Sequence, residues 1–487
     1  MTDAQLVVLA LCIPLAGAVF IGLFSRQPNA RESVTLVAAG GLFVTVLAIL
    51  GEVAAGARPV VTGIDVLPGL SLSFAVEPLG MLFALIASGL WIVNSVYSIG
   101  YMRANDEPRQ TPFYICFAIA IASTIGIAFA ENLFTLFIFY EVLTLSTYPL
   151  VTHKGNGDAV RGGRVYLLFL LGTSMVLFLP AIIWTWVLAG TLDFTPGGIL
   201  AGKAEGPVVG ILLGLYVFGI GKAAVMPFHR WLPAAMVAPT PVSALLHAVA
   251  VVKAGVFSVM KIVVYIFGID FLSAGGHGGW LLYIAAATVI VASLVAMTKD
   301  NLKARLAYST VSQLSYVVVG ALLATNLGMV GGSMHIAMHA VGKITLFFCA
   351  GAIYTAAHKT EISELSGLGR AMPFTFAAFA VGAISIIGLP PFGGVWSKWY
   401  LTLGALEAGQ LLIVAALMLS SLLNVAYLLP IPFKAFFGAP AEGNAGGGIK
   451  EAPLPCLIAI GATSLGCLLL FLFPDPLHHL VTLIQTR

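Results

Sequence analysis

Gly388-Leu389-Pro390-Pro391-Phe392-Gly393-Gly394, followed by Trp396-Ser397-Lys398, lies inside a run of apolar residues long enough to cross a bilayer. Two prolines and three glycines within seven residues interrupt a helix. Irregular backbone at membrane depth persists only where protein buries it or where it lines a cavity. The same construction occurs upstream in Gly219-Ile220-Gly221-Lys222-Ala223, which leads into Met226-Pro227 and Trp231-Leu232-Pro233. Pro227 has no N–H for the carbonyl of Ala223, so a polar opening beside Lys222 is expected. Each interruption carries a lysine.

The rest of the chain has the composition of a membrane bundle. Of its 487 residues, 60% are hydrophobic and 9% charged, where a soluble domain uses roughly a quarter charged. Fourteen apolar spans are read at 4–24, 33–55, 79–100, 112–130, 132–152, 164–190, 208–228, 241–268, 279–298, 303–324, 328–356, 371–401, 409–433 and 453–474. The first reads as a retained span rather than a signal peptide, because Asp3 is the only charge before the apolar run. With both termini outside, fifteen of the 23 Lys and Arg fall in inside connections, and Arg58, Lys203 and Arg487 fall outside. That asymmetry supports the count and predicts a multi-pass protein of a bacterial cytoplasmic membrane.

The broken spans 7 and 12 are five spans apart. Five is odd, so a repeat of spans 4–8 onto 9–13 is inverted in the membrane, as in transporters whose sites lie at broken helices near the midplane. The expected organisation is 1–111 for helices 1–3, 112–268 for the first repeat, 279–436 for the second, and 453–487 for helix 14. The formal charge of +3 gives no indication of nucleic acid as a partner. Cys12, Cys116, Cys349, Cys456 and Cys467 are scattered, and no dinucleotide, Walker, haem or iron–sulfur motif occurs. No cofactor is therefore expected, and the energy must come from an ion gradient or from partner subunits.

Lys222, Lys253, Lys261, Lys343 and Lys398 remain inside the spans, with Glu141 as a mid-span acid. Each costs at least about 2.5 kcal/mol near the bilayer centre, so such groups face protein or a wet cavity. Lys261, late in its span, reads as a snorkelling or structurally paired lysine. Glu141 is the natural counter-charge for Lys222. His247 and Lys253 are six positions apart and point about 120° from each other on a regular helix, toward two neighbouring compartments. A histidine such as His247 serves equally well as a packed core residue. His335, His339 and Lys343, at i, i+4 and i+8, line one helix face. Imidazole accepts a proton on one nitrogen and releases it from the other, and a desolvated ammonium gives up its proton more readily than one in water. The column suits a proton wire better than a metal, since no acid accompanies the histidine pair on that helix.

These segments resemble a known family, the proton-conducting antiporter-like subunits shared by respiratory complex I and Mrp-type Na+/H+ antiporters. The resemblance covers nearly all fourteen spans. It rests on the Glu141 segment, on Gly221-Lys222 with Pro227-Phe228-His229-Arg230-Trp231-Leu232-Pro233, and on Pro239-Thr240-Pro241-Val242-Ser243-Ala244-Leu245-Leu246-His247. It continues through His335-Ile336-Ala337-Met338-His339-Ala340-Val341-Gly342-Lys343 and the Gly388–Gly394 break. It implies an input pair of Glu141 and Lys222, a central relay at Lys253 and an exit at Lys398. His247, His335, His339 and Lys343 supply the connection between them. A lysine rather than a glutamate at the exit, and a chain ending just beyond span 14, are most similar to the D-type component of an Mrp antiporter. The implied function is proton translocation within a multisubunit Na+/H+ antiporter, with other membrane subunits as partners. A complex I or membrane-hydrogenase subunit is the alternative, and a structural scaffold a second one. A quinone-reducing subunit is a weaker reading still, for want of a cofactor site. If the chain carries enzyme status, it comes from a redox complex around it.

Overall fold

The computed structural model describes residues 2–67, 69–440 and 448–486; Arg487, one of the three basic residues expected outside, lies beyond them. The chain is an all-α membrane bundle with one small hairpin. Its helices are α1 (Asp3–Leu23), α2 (Pro28–Ala54), α3 (Pro78–Ala104), α4 (Gln110–Ala128) and α5 (Leu133–Val151), then α6 (Gly157–Ala189), α7 (Pro207–Gly219), α8 (Thr240–Phe267) and α9 (Gly279–Met297). There follow α10 (Leu302–Leu322), α11 (Asn326–Ala357), α12 (Pro373–Ile387), α13 (Gly394–Glu407), α14 (Leu411–Phe437), α15 (Leu454–Leu472) and α16 (Asp475–Thr486). Eleven helices among the described residues are long and apolar enough to cross a membrane. The other three expected spans each have a local reason to differ. α7 stops early, span 12 is cut into α12 and α13, and the 21 residues of α10 carry Lys303, Arg305 and a series of serines and threonines.

The helix starts follow from side-chain caps. Thr2 makes a capping box with Gln5, and Asn132, Asn156, Asn301 and Thr325 each accept a backbone N–H of the first turn. α2, α3, α7, α8, α12 and α15 carry proline in the first turn, where its missing N–H costs nothing.

Three features depart from the sequence reading. Val60–Leu67 and Leu70–Ala75 form an antiparallel hairpin between α2 and α3, in a connection for which no element is expected. The segment expected as a single C-terminal span holds a second helix, α16, whose Leu480, Val481 and Ile484 are buried. The interruption of span 7 starts upstream of Pro227: α7 ends at Gly219, and Lys222 sits in a single 3-10 turn, Gly221–Ala223. Span 12 breaks where its prolines predict, with Gly388 at φ +87° and helix resuming at Gly394.

Burial shows which helices are central. The most apolar stretch of α8 is wholly buried and that of α11 is 94% buried, against 33% or less for α1, α2, α6, α14 and α15. The peripheral helices expose large apolar side chains such as Val37, Leu168, Val187, Leu411 and Leu422, the surface expected to face lipid. The core is thus two long helices; α8 carries Lys253 and Lys261, and α11 carries Lys343.

Candidate functional site

Lys222 is fully buried at the break after α7. Its ammonium donates to the Tyr140 carbonyl at 2.8 Å and the Thr144 hydroxyl at 2.6 Å, and lies 3.2 Å from the centre of the Tyr140 ring. The turn is held from the other side by Trp231, whose Nε1 donates to Gly221 O at 2.9 Å. Glu141, the expected counter-charge of Lys222, occupies the next position of α5. The two form no ion pair within 4.0 Å, however, and both Glu141 oxygens are buried without a hydrogen-bond partner among the described residues. The helical rotation explains this. Tyr140 and Thr144, four positions apart, share the face toward Lys222, while Glu141 is turned about 100° from Tyr140.

α8 passes directly over this turn. A β-carbon on Gly255 would fall 2.3 Å from Lys222 C and Ala223 N, so only glycine permits the approach. Two residues earlier is Lys253, fully buried, whose Nζ meets His339 Nδ1 of α11 in a short hydrogen bond. The expected 120° divergence of His247 and Lys253 is altered by the backbone. Leu245–Val249 is a π-turn, and Ala250 departs to φ −119° and ψ −70°. The inserted residue shifts the phase of everything beyond it. Both residues then face α11, with His247 against the Phe347 ring at 4.5 Å and Lys253 against His339. Neither ring nitrogen of His247 has a hydrogen-bond partner among the described residues.

The column on α11 is formed, and its members face three different helices. His339 meets Lys253. His335 lies 5.9 Å from His339 between ring centres, and its Nδ1 is 2.9 Å from Ser397 Oγ on α13. Lys343 turns to α10, donating to Ser309 Oγ at 2.6 Å. Ser309 in turn accepts from Tyr427, which also bonds Asn424. Lys253 and Lys343 thus hydrogen-bond different partners, and His339 with His335 form the line from Lys253 toward α13.

That line reaches Lys398. Its ammonium donates to Ile387 O at 2.8 Å and Ser421 Oγ at 3.1 Å, and lies 4.8 Å from the centre of the Tyr316 ring. Tyr316 also stacks on His335 at 5.4 Å, so one ring touches both groups. Lys398 is part-exposed on a cavity of about 370 Å³ lined by Tyr316, Gly388, Leu389 and Ser421. The break that exposes Ile387 O supplies the lysine with its acceptor.

A family model described as NADH:quinone oxidoreductase/Mrp antiporter, TM, matches residues 130–424, the region that holds Glu141, Lys222, Lys253, His335, His339, Lys343 and Lys398. The chain belongs to this family. Among its members, NADH-quinone oxidoreductase subunit N of Desulforudis audaxviator is 30% identical, over 96% of this chain and 95% of that protein. The D component of the Na(+)/H(+) antiporter of Alkalihalophilus pseudofirmus is 26% identical, over 89% of this chain and 87% of its own length. Subunit L of the Mycobacterium tuberculosis NADH-quinone oxidoreductase is 30% identical over 82% of this chain, which spans only 64% of that longer relative. The fold is shared with a chain of the Mrp complex from Dietzia sp. DQ12-45-1b, at a TM-score of 0.88 and 22% identity, covering 100% of this chain and 97% of that one. A chain of an archaeal membrane-bound sulfane sulfur reductase superposes with a TM-score of 0.87 at 23% identity, covering 99% of this chain and 97% of its own. Chains of this fold thus stand in membrane complexes.

Sequence reasoning missed the neutral groups of the site. Thr144, Ser309, Ser397, Ser421, Tyr140 and Tyr316 hold the charged residues, yet hydroxyls are common in membrane helices and carry no individual signal. Spacing offered one clue, since Tyr140 and Thr144 are i, i+4 on the helix of Glu141. Lys261, expected to snorkel or to be paired, is fully buried and paired with Glu77 at 2.7 Å. That acid lies one residue before its helix and is invisible to a search within spans.

Proposed function

We propose that the chain is the proton-translocating subunit of a multisubunit monovalent-cation/H+ antiporter of a bacterial cytoplasmic membrane, and that Glu141, Lys222, Lys253 and Lys398 carry the proton. The two five-helix units, 112–268 and 279–436, act as inverted half-channels joined at Lys253 and His339. The observation that carries this reading is the environment of the buried lysines. Lys222, Lys253 and Lys343 are 0% exposed, and no carboxylate lies within 4.0 Å of any of them among the described residues. Their partners are hydroxyls, carbonyls and one imidazole. A carboxylate partner makes a lysine hold its proton more tightly, whereas one held by such neutral groups gives it up more readily.

The relay then works through electrostatics. A unit charge 4 Å away changes the energy of another by about 4 kcal/mol at an effective dielectric of 20, roughly a thousandfold in proton affinity. Moving Glu141 toward or away from Lys222 alters the field along the turn that α8 covers at Gly255, and so alters the tendency of Lys253 to hold its proton. His339 takes that proton on Nδ1 and releases one from Nε2. His335 and the hydroxyl of Ser397 bring it to the cavity at Lys398.

The test uses Glu141→Ala, Lys222→Ala and Lys253→Ala in the assembled complex, with ΔpH-driven cation exchange followed in inverted vesicles. Exchange is expected to fall to background in all three while assembly on native gels is unchanged. Normal exchange in assembled Lys253→Ala complexes would return the chain to a scaffold role. The 30% identity to NADH-quinone oxidoreductase subunit N over nearly the whole chain favours a second reading, a redox-driven complex. In that case wild-type vesicles pump protons with a reductant and show no cation exchange.

A further inference from the structure

Lys261 and Glu77 stand apart from the relay, two turns along α8 from Lys253. Lys261 is 0% exposed and Glu77 7%. The ammonium lies 2.7 Å from Glu77 Oε1 and donates to Ala130 O at 2.8 Å, with the rings of Phe194 and Phe257 at 4.6 and 5.5 Å. Two further oxygens adjoin this carboxylate oxygen: Glu77 Oε2, and the buried hydroxyl of Tyr265, which interacts with Glu77. A cavity of about 30 Å³ adjoins Glu77 and Tyr265, beneath Arg58 and Pro196, enough room for one water. The C-terminal end of α4, with Ala128 as its last residue, also points here, and helix C-termini favour positive charge.

We propose that this oxygen cage is a monovalent-cation site in which the Lys261 ammonium is a tethered occupant that Na+ or K+ displaces. Glu77 Oε1 and Oε2, Ala130 O and Tyr265 OH are hard oxygen donors, as an alkali ion requires, and the cavity admits a water to complete its shell. The exchange balances. Lys261 releases one proton and becomes neutral, the incoming ion takes its place on the Glu77 carboxylate, and the charge of the pocket is unchanged. The other charged groups facing the pair are Arg58, from the connection after α2, and Glu131, from the connection after α4. They offset each other, so the occupant of the cage is decided by Glu77. This site goes beyond the relay and does not depend on it.

The experiment is thermal unfolding of the purified complex with NaCl, KCl or choline chloride at equal ionic strength, between pH 7 and 10. In wild type, stabilisation by Na+ or K+ over choline is expected to appear as pH rises, the concentration needed falling by up to about tenfold per pH unit while ion and proton compete. Lys261→Met is expected to respond to the ion at every pH, and Glu77→Gln/Lys261→Met to lose the response. Lys253→Ala keeps it, which separates this site from the relay. Two results would overturn the proposal: a wild-type response that is flat with pH, or a Lys261→Met complex that gains no more than the double variant. Should Lys261→Met assemble poorly, the wild-type pH series decides alone.

Discussion

At the scale of single residues, the charges of this protein are tuned by their neutral neighbours. Thr144 is the shortest contact of Lys222, at 2.6 Å, and a hydrogen bond to a charged group contributes about 1.5–3 kcal/mol. Thr144→Val is therefore expected to slow proton translocation by roughly ten- to a hundredfold in vesicle assays, with Thr144→Ser restoring most of the rate. An unaffected Thr144→Val would mean that Lys222 does not use this hydroxyl. His339 is the only imidazole hydrogen-bonded to a relay lysine among the described residues. His339→Ala should block transfer beyond Lys253, while His247→Ala, which removes ring nitrogens that bond nothing described, should leave a larger residual rate. Proton flux measured side by side in the two variants ranks them. The lysines and Glu141 were readable from sequence because a charge inside an apolar span is improbable unless used. Thr144 and Ser309 were not, because a hydroxyl costs little there.

At the scale of elements, irregular backbone sets where these groups point. The π-turn at Leu245–Val249 brings His247 and Lys253 onto α11 together, and the 3-10 turn at Gly221–Ala223 brings Lys222 under α8. Gly255 is the point of closest approach. Gly255→Ala places a β-carbon 2.3 Å from the Lys222 backbone, and overpacking of this kind costs about 1–3 kcal/mol. The variant should lower the Tm of the purified complex and impair transport as well, since it forces α8 and the lysine turn apart. A fully active Gly255→Ala would show that the two elements are not in close contact during turnover. Of these irregularities, only the breaks at Pro227 and Pro390-Pro391 were written in residue types. A π-turn has no residue signature, because it arises from packing against neighbouring helices.

At the scale of the molecule, the proposed relay is a series, from Lys222 through Lys253, His339 and His335 to Lys398. Groups that act as one unit are strongly non-additive. The double variant Glu141→Ala/Lys398→Ala is thus expected to be no slower than the slower single variant when proton flux is measured in vesicles. A multiplicative loss would indicate two independent paths. The cavity at Lys398 and the small one at Glu77 are built from different parts of the chain, so the proposed cation site and the proposed proton exit are expected to be separable by mutation.

The sequence by itself determined the bundle, its span positions to within a few residues at most ends, the two breaks and the identity of the charged groups. Those follow from solvation. Every segment in lipid must be apolar and helical, and every exception must be compensated, so both rule and exceptions are legible one residue at a time. Only the tertiary structure decided the partners. Glu141 forms no ion pair with Lys222 within 4.0 Å, Lys343 bonds Ser309, and Glu77 proved to be the acid that holds Lys261. Distances between helices depend on which faces pack and on backbone irregularities that shift their phase. No local property of the chain encodes them.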